Sequence, residues 1–241
     1  MFIDHHTHSI KNLEISGEND VLHLYSIDLS NQYPDYSVCQ KGALYTAGFH
    51  PHGVHGIAPA RIEQELRGKI PFILGIGECG IDMLAQADIE TQKQAFLRHV
   101  DIAEEYGLPL IIHCVRAYQH IAAMHKSIRP HMPWILHGFN RHPELARQLG
   151  EQGFLFSIGG KALMQEKGHV PRLCGYLEAG TFFLESDMSA IPIQDLYSRA
   201  AALRDCTVQE LQQIIQQTFI RVYGESAFST AGKHGSGTPL E

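Results

Sequence analysis

The sequence predicts an α/β fold, a (β/α)8 TIM-type barrel that is irregular in its first two crossovers. Three observations predict it. Eight short apolar, strand-like runs recur along the chain, and stretches of helical periodicity separate most of them; strands alternating with helices build βα units and a parallel sheet. The chain has 241 residues and is 44% hydrophobic, enough for one sizeable core, and alternating α/β domains of this size commonly close into one barrel. Histidines and carboxylates also recur just past the apolar runs. In a parallel barrel those strand ends surround a single site.

The first run, residues 1–4, leads through Phe2-Ile3 into Asp4 and then His6-x-His8. Alternate side chains of an extended chain share a face, so His6 and His8 can reach one metal ion. The bland alternative is an exposed histidine cluster that binds nothing. Further runs lie near 22–27, 43–48, 71–76, 109–113, 133–137, 153–157 and 181–185. The clearest helix spans about 89–106, where Ala95, Phe96, Val100, Ile102, Ala103 and Tyr106 follow a helical spacing and Gly107-Leu108-Pro109 ends it. Others are expected near 59–67, 117–127, 142–151, 169–178 and 207–222, the last with an apolar stripe of Leu211, Ile214, Ile215, Phe219 and Val222. Residues 9–21 and 28–42 are polar and too short for full crossover helices, so irregular loops or single turns are expected there. We expect one barrel domain over 1–226 and a disordered tail over 227–241, rich in Gly and Ser.

The formal net charge is -7. A protein that coats long nucleic acid normally carries the opposite sign; a single phosphate can still be held by metal ions and a few basic side chains. The five cysteines, at 39, 79, 114, 174 and 206, are odd in number and form no CxxC pair. That argues against a disulfide framework and fits a reducing cytoplasm. No secretory signal and no apolar run of membrane-spanning length is visible.

Six residues stand at equivalent places after the apolar runs: His6, His8, Glu78, His113, His137 and Asp187. Each alone reads as an ordinary loop residue. Together they are side chains that bind borderline or hard divalent ions. Four histidines and two carboxylates exceed what one tetrahedral ion needs. They suit two metals bridged by a carboxylate, which would acidify bound water and hold a phosphoryl or carbonyl oxygen. A carboxylate beside the water can take its proton, and Asp187 is the choice for that role.

At this point the sequence resembles the TatD family of metal-dependent hydrolases. The matching segments are Asp4-x-His6-x-His8, Gly48-Phe49-His50-Pro51-His52, Gly77-Glu78-Cys79-Gly80-Ile81-Asp82, Ile111-Ile112-His113-Cys114, His137-Gly138-Phe139, Ser157-Ile158-Gly159-Gly160 and Leu184-Glu185-Ser186-Asp187. They run in family order from residue 4 to 187, and Tyr223-Gly224 looks like the family's closing Phe-Gly. The resemblance implies a TIM-type barrel holding two divalent ions. By motif position, His6 and His8 would bind one, His113 and His137 the other, Glu78 would bridge them, and Asp187 would bind the first and activate water. It also implies phosphodiester hydrolysis of the deoxyribonuclease kind, including trimming from the 3′ end.

Four further residues are candidates for substrate contact. His50 and His52 follow the third strand and could contact substrate or support the metal ligands from behind, and they read equally as polar loop residues beside Pro51; Asp82 could orient a ligand or bind solvent; Arg116 offers a fork that fits phosphate oxygens. Many family members place that Arg two residues after the histidine, whereas here Val115 makes it three. Cys79 and Cys114 flank ligands and read as buried packing residues rather than nucleophiles. The loop Met188-Ser189-Ala190-Ile191-Pro192 is shorter than the family's Pro- and Asn-rich segment, and the region between His8 and Gly48 is compact. With the negative charge, this favours short or single-stranded DNA ends, or small phosphodiesters, over long duplexes. Histidine-rich ligation favours zinc, nickel, manganese or iron over calcium, and magnesium can serve where substrate phosphate completes its coordination.

Three other readings compete. A PHP-type phosphoesterase shares the flavour of Asp4-His5-His6-Thr7-His8-Ser9, but no later Thr-Asp-His segment follows. An amidohydrolase-like amidase or lactonase shares barrel and metals, but many of those use a strand-end Lys where this chain offers Glu78. A metal-binding interaction module without turnover would be expected to have lost ligands. The residues leave oligomeric state open.

Overall fold

A computed structural model describes residues 1–8, 21–30 and 44–232. The strands are β1 (Phe2–Thr7), β2 (Val21–Asp28), β3 (Leu44–Gly48), β4 (Gly75–Asp82), β5 (Leu110–Val115), β6 (Trp134–Leu136), β7 (Leu155–Gly159) and β8 (Phe182–Glu185). They form one eight-stranded sheet in sequential order, every pair parallel. Asp187 completes the circle: it forms a parallel bridge with Thr7, and its N–H donates to the His6 carbonyl at 2.9 Å. The expected barrel is therefore present, and its closing seam runs through two of the candidate ligands.

The helices of the described residues are α1 (Pro59–Lys69), α2 (Ile89–Tyr106), α3 (Tyr118–Ile128), α4 (Pro143–Gly150), α5 (Gly160–Leu163), α6 (His169–Tyr176), α7 (Ile193–Leu203), α8 (Val208–Tyr223) and α9 (Glu225–Gly232). Local chemistry sets their ends. The Asp88 side chain accepts from the Thr91 N–H to start α2, and Gly107 ends it in the left-handed region at φ 66°. A reciprocal Thr207–Glu210 box starts α8. The stripe expected on α8 is buried at Leu211, Ile215, Phe219 and Val222.

The strands are covered on both faces, which is why they read as near-continuous apolar runs. All eight residues of β4 are buried. Outside the sheet, Trp134 packs edge-on against Phe96 of α2, with ring centroids 5.1 Å apart. Tyr197 of α7 closes the bottom of β1, where its hydroxyl donates to the Ile3 carbonyl and accepts the Ile3 N–H, both at 3.2 Å.

Several elements differ from expectation, the one-turn helix α5 among them. The fourth strand begins at Gly75 rather than 71, because Ile70–Phe72 form a 3-10 turn around Pro71 and Phe72 is 72% exposed. His6, Glu78 and His113 lie inside strands β1, β4 and β5, not after them, because those strands run on to Thr7, Asp82 and Val115. Helix α7 was not among the expected helices. Its buried stripe, Ile193, Leu196, Tyr197, Ala200 and Ala201, ends in two alanines whose apolar signal is weak, and only packing marks that face as internal. The chain also stays helical through α9, past the boundary expected at 226, because Ala227 is buried and Phe228 packs near Phe219 with ring centroids 6.3 Å apart. The expected loops within 9–20 and 31–43, Cys39, and tail residues 233–241 lie outside the described residues.

One buried titratable group ties a helix to the sheet. His99 of α2 faces Ala95 O at 2.8 Å through Nδ1 and accepts the Phe49 N–H at 3.0 Å through Nε2. These partners require a neutral ring protonated on Nδ1. Burial lowers its pKa from 6.5 to about 4. The unfolded chain takes up this proton near pH 6.5 and the folded chain does not, so the contribution to stability is complete above about 6.5 and is lost as pH falls toward 4. Between pH 7.5 and pH 5 the loss is expected to be about 2 kcal/mol. Urea unfolding at both pH values would check it: His99→Gln should shrink the pH-dependent loss by that amount, and an unchanged loss would rule the contribution out.

Candidate metal centre

The site is built at the C-terminal mouth of the barrel, and two irregular strands aim its ligands. The register of β1 against β2 shifts between Asp4 and Thr7, and that of β4 against β5 shifts between Ile76 and Cys79. Such shifts re-aim side chains, and here they bracket His6 and Glu78. Neighbouring His5 points the other way, stacked on Phe183 with centroids 3.9 Å apart and bonded to the Tyr223 hydroxyl at 2.8 Å. Alternation thus separates a packing histidine from a site histidine at adjacent positions.

Glu78 is the centre. It is 5% exposed, and five histidines converge on its two oxygens. On Oε2 lie His8 Nε2 at 3.1 Å and His6 Nε2 at 3.5 Å. On Oε1 lie His113 Nδ1 at 2.6 Å, His137 Nε2 at 2.7 Å and His50 Nε2 at 3.3 Å. The ring nitrogens also face one another: His6 and His8 at 3.1 Å, His50 and His113 at 3.3 Å, His113 and His137 at 3.4 Å. Burial pushes the Glu78 carboxyl up, but the His137 ring and bonds from His113, His137 and His50 outweigh it and hold the carboxyl well below the usual range.

Asp187 lies across the mouth, with Oδ1 3.8 Å from His8 Nε2 and its side chain 40% exposed. Its backbone is in the left-handed region at φ 52°, a conformation Asp tolerates better than most residues. Hydrogen bonds hold it there: Asp187 N to His6 O, and Thr7 Oγ1 to Asp187 O at 3.3 Å. Buried Asp4 anchors the preceding residue, accepting Ser186 N at 2.7 Å and Ser186 Oγ at 2.6 Å, with His23 Nδ1 at 3.1 Å.

All six candidate ligands come together. Donor atoms of His6, His8 and Asp187, of His6, Glu78 and His137, and of His50, Glu78 and His113 each lie within 4.8 Å of one another. The donor set fits divalent ions. Imidazole nitrogens and carboxylate oxygens crowd one point, and neutral rings at these separations cannot all find hydrogen-bond donors in each other.

Of the four residues expected to meet substrate, His50 lies in the cluster against Glu78 and His113. Asp82 is buried and sits behind the cluster: it accepts the Leu84 N–H at 2.8 Å and meets His52 Nε2 at 2.8 Å and His113 Nε2 at 3.1 Å. It therefore orients the His113 ring so that Nδ1 faces Glu78. His52, with its side chain 53% exposed, touches the cluster only through Asp82. Arg116 is exposed past the end of β5 and, among the described residues, makes no ion pair with the site's carboxylates. Cys79 and Cys114 are buried, and burial pushes both thiols up, that of Cys114 to about 12, which makes them packing residues at neutral pH.

The sequence reading passed over Glu185. It is 1% exposed, accepts the Gly138 N–H at 2.7 Å and stands 3.8 Å from His137 Nδ1, so it steadies His137 as Asp82 steadies His113. Burial raises its carboxyl, and His137 more than compensates, bringing it to about 2. The available signal was the spacing Glu185-x-Asp187, the same two-residue step as His6-x-His8.

Known proteins resemble this chain throughout the barrel. The family model described as TatD related DNase matches residues 12–224. The 3'-5' ssDNA/RNA exonuclease TatD of Erwinia tasmaniensis is 29% identical over 231 residues, which covers 92% of this chain and 86% of that protein. The structure of YJJV, a TatD homologue from Escherichia coli, superposes with a TM-score of 0.77 at 17% identity, covering 92% of this chain and 97% of that one. A hydrolase TatD family protein from Entamoeba histolytica superposes with a TM-score of 0.73 at 15% identity, covering 92% and 97%. At such identities the structures speak for the fold, and the family follows from the sequence match: the chain belongs to the TatD-related DNase family.

Proposed function

We infer that the protein is a divalent-metal-dependent phosphodiesterase acting on short or single-stranded nucleic-acid ends, with one barrel domain supplying the whole site. One observation carries the reading: a buried carboxylate, Glu78, sits at the meeting point of histidines from β1, β4-flanking and opposite strands, with a half-exposed carboxylate, Asp187, at the mouth. The exonuclease activity named for the Erwinia relative on single-stranded DNA and RNA supports the substrate class. The family match favours it over the amidase, lactonase, PHP and interaction-module readings.

His6, His8 and Asp187 would hold one ion and His113 and His137 the other, with Glu78 between them. His50 stands with the second group. When bound, such ions polarise a phosphoryl oxygen and lower the pKa of water. Nitrogen-rich ligation favours zinc, manganese, nickel or iron, with magnesium able to serve. The chain's own residues do the rest. The side chain of Asp187 is open to the cleft and accepts the proton of the attacking water. The water oxygen bonds to phosphorus, the bond from phosphorus to the leaving sugar oxygen breaks, and that oxygen takes up a proton from solvent. Asp82 and Glu185 keep His113 and His137 aimed, and buried Glu78 stays ionised throughout.

The test pairs elemental analysis with hydrolysis of a small phosphodiester and a single-stranded oligonucleotide. About two ions per chain are expected for a carboxylate-bridged site, with turnover of both substrates. Metal without phosphodiester hydrolysis would overturn the reading, and so would no metal after reconstitution with zinc and manganese. Asp82→Asn should weaken metal affinity by about 10- to 100-fold, as loss of a residue that orients a ligand does. Competition with a chelator measures this, and unchanged affinity would remove Asp82 from that role.

A further inference from the structure

A cavity of about 340 Å³ opens beside Asp187, between the ends of β6, β7 and β8. Its floor is apolar, formed by Phe139 and Val170, which are 1% and 4% exposed. Its inner wall is Glu185-Ser186-Asp187, on the side of the metal centre. Its outer rim carries Asn140, Lys161 and Met188. Lys161 is exposed, and among the described residues it pairs with no carboxylate. Met188 is 81% exposed, the highest value among the large apolar side chains of the described residues.

These features select a particular ligand. The carboxylates of the inner wall disfavour a free anion that would fill the cavity. An apolar floor and a thioether at the rim suit the flat face of a nucleobase. A lone ammonium at the rim suits a phosphate lying outside the cavity, as a point charge. The size is that of a small-molecule pocket and accommodates a single nucleoside, not a duplex. Resting on the phosphodiesterase reading, we propose that this cavity seats the nucleoside next to the phosphodiester being cut, with Lys161 contacting the neighbouring phosphate and Met188 lying against the base. The proposal ties strand specificity to the rim: a base reaches the floor only when it is unpaired.

The test is equilibrium binding of a fluorescent single-stranded tetranucleotide with phosphorothioate linkages to the manganese-loaded full chain at several salt concentrations. Wild type would be compared with Lys161→Ala, Lys161→Arg and Lys126→Ala, the last an exposed lysine on α3 away from the mouth. Lys161→Ala is expected to weaken binding about tenfold and to lower the salt slope by about 0.7, the value for one phosphate contact on a single strand. Lys161→Arg should keep affinity within about threefold, since it retains the charge. Wild-type-like binding by Lys161→Ala would overturn the proposal, as would an equal loss in Lys126→Ala or no binding by wild type. Hydrolysis of bis(4-nitrophenyl) phosphate by wild type, measured alongside, reports on the phosphodiesterase reading alone. The two can therefore fail separately.

Discussion

Replacing Glu78 with Gln is expected to abolish metal-supported turnover, with a fall of about 10³-fold or more, because several kcal/mol of transition-state stabilisation leave with the ions. The amide keeps the shape of the side chain but loses the charge that draws five histidines together. Glu78 belongs to two of the three donor groups, so its loss disturbs both halves of the centre. Bound metal should fall with activity, which elemental analysis reads directly. Folding is a separate matter. A buried carboxylate is costly unless paired, so the apo variant need not be less stable than the apo wild type. Far-UV circular dichroism and urea unfolding would separate loss of the site from loss of the fold. Retention of both metal and turnover by Glu78→Gln would sink the bridging role.

Asp187→Asn is expected to behave differently. Asp187 belongs to one donor group, and its side chain is 40% exposed at the mouth. The asparagine keeps the backbone seam between Asp187 N and His6 O but cannot accept the proton of attacking water. Turnover should fall about 10²- to 10⁴-fold, the range general-base catalysis contributes, while much of the metal is retained. The pair of variants is therefore diagnostic: Glu78→Gln loses metal and rate together, and Asp187→Asn loses rate with a smaller loss of metal. If Asp187→Asn turned over at the wild-type rate, the proton would have to go elsewhere, and His8 would be the next residue to examine.

Much of the centre was legible because it rests on short-range rules. His6-x-His8 is a two-residue step on an extended chain, and the step alone puts both rings on one face. His113 and His137 follow short apolar runs that read as buried strands. What the chain did not reveal depends on neighbours distant in sequence. His50 reads equally as a site residue and as a loop residue beside Pro51, and only the fold shows it reaching Glu78, 28 positions further on, at 3.3 Å. Asp82 could be read as orienting a ligand or meeting substrate, and only the fold shows that the ring beside it is that of His113, 3.1 Å away. Glu185 looked like the end of a strand and proved to brace His137. Helix α7 was missed for a related reason, since Ala200 and Ala201 mark a buried face only when something large packs on it.

The sequence by itself determined the barrel, the family and the six side chains that gather at its mouth. Period, strand count and ligand type are properties of the chain alone, and apolar burial enforces them wherever the strands pair. Only the tertiary structure decided how those side chains are aimed. The register shifts in β1 and β4 turn His6 and Glu78 inward, the Thr7–Asp187 bridge sets a carboxylate beside His8, and the cavity beside Asp187 exists only because the ends of β6, β7 and β8 leave room there. Closing a barrel joins residue 7 to residue 187, and no local rule of sequence carries information across that distance.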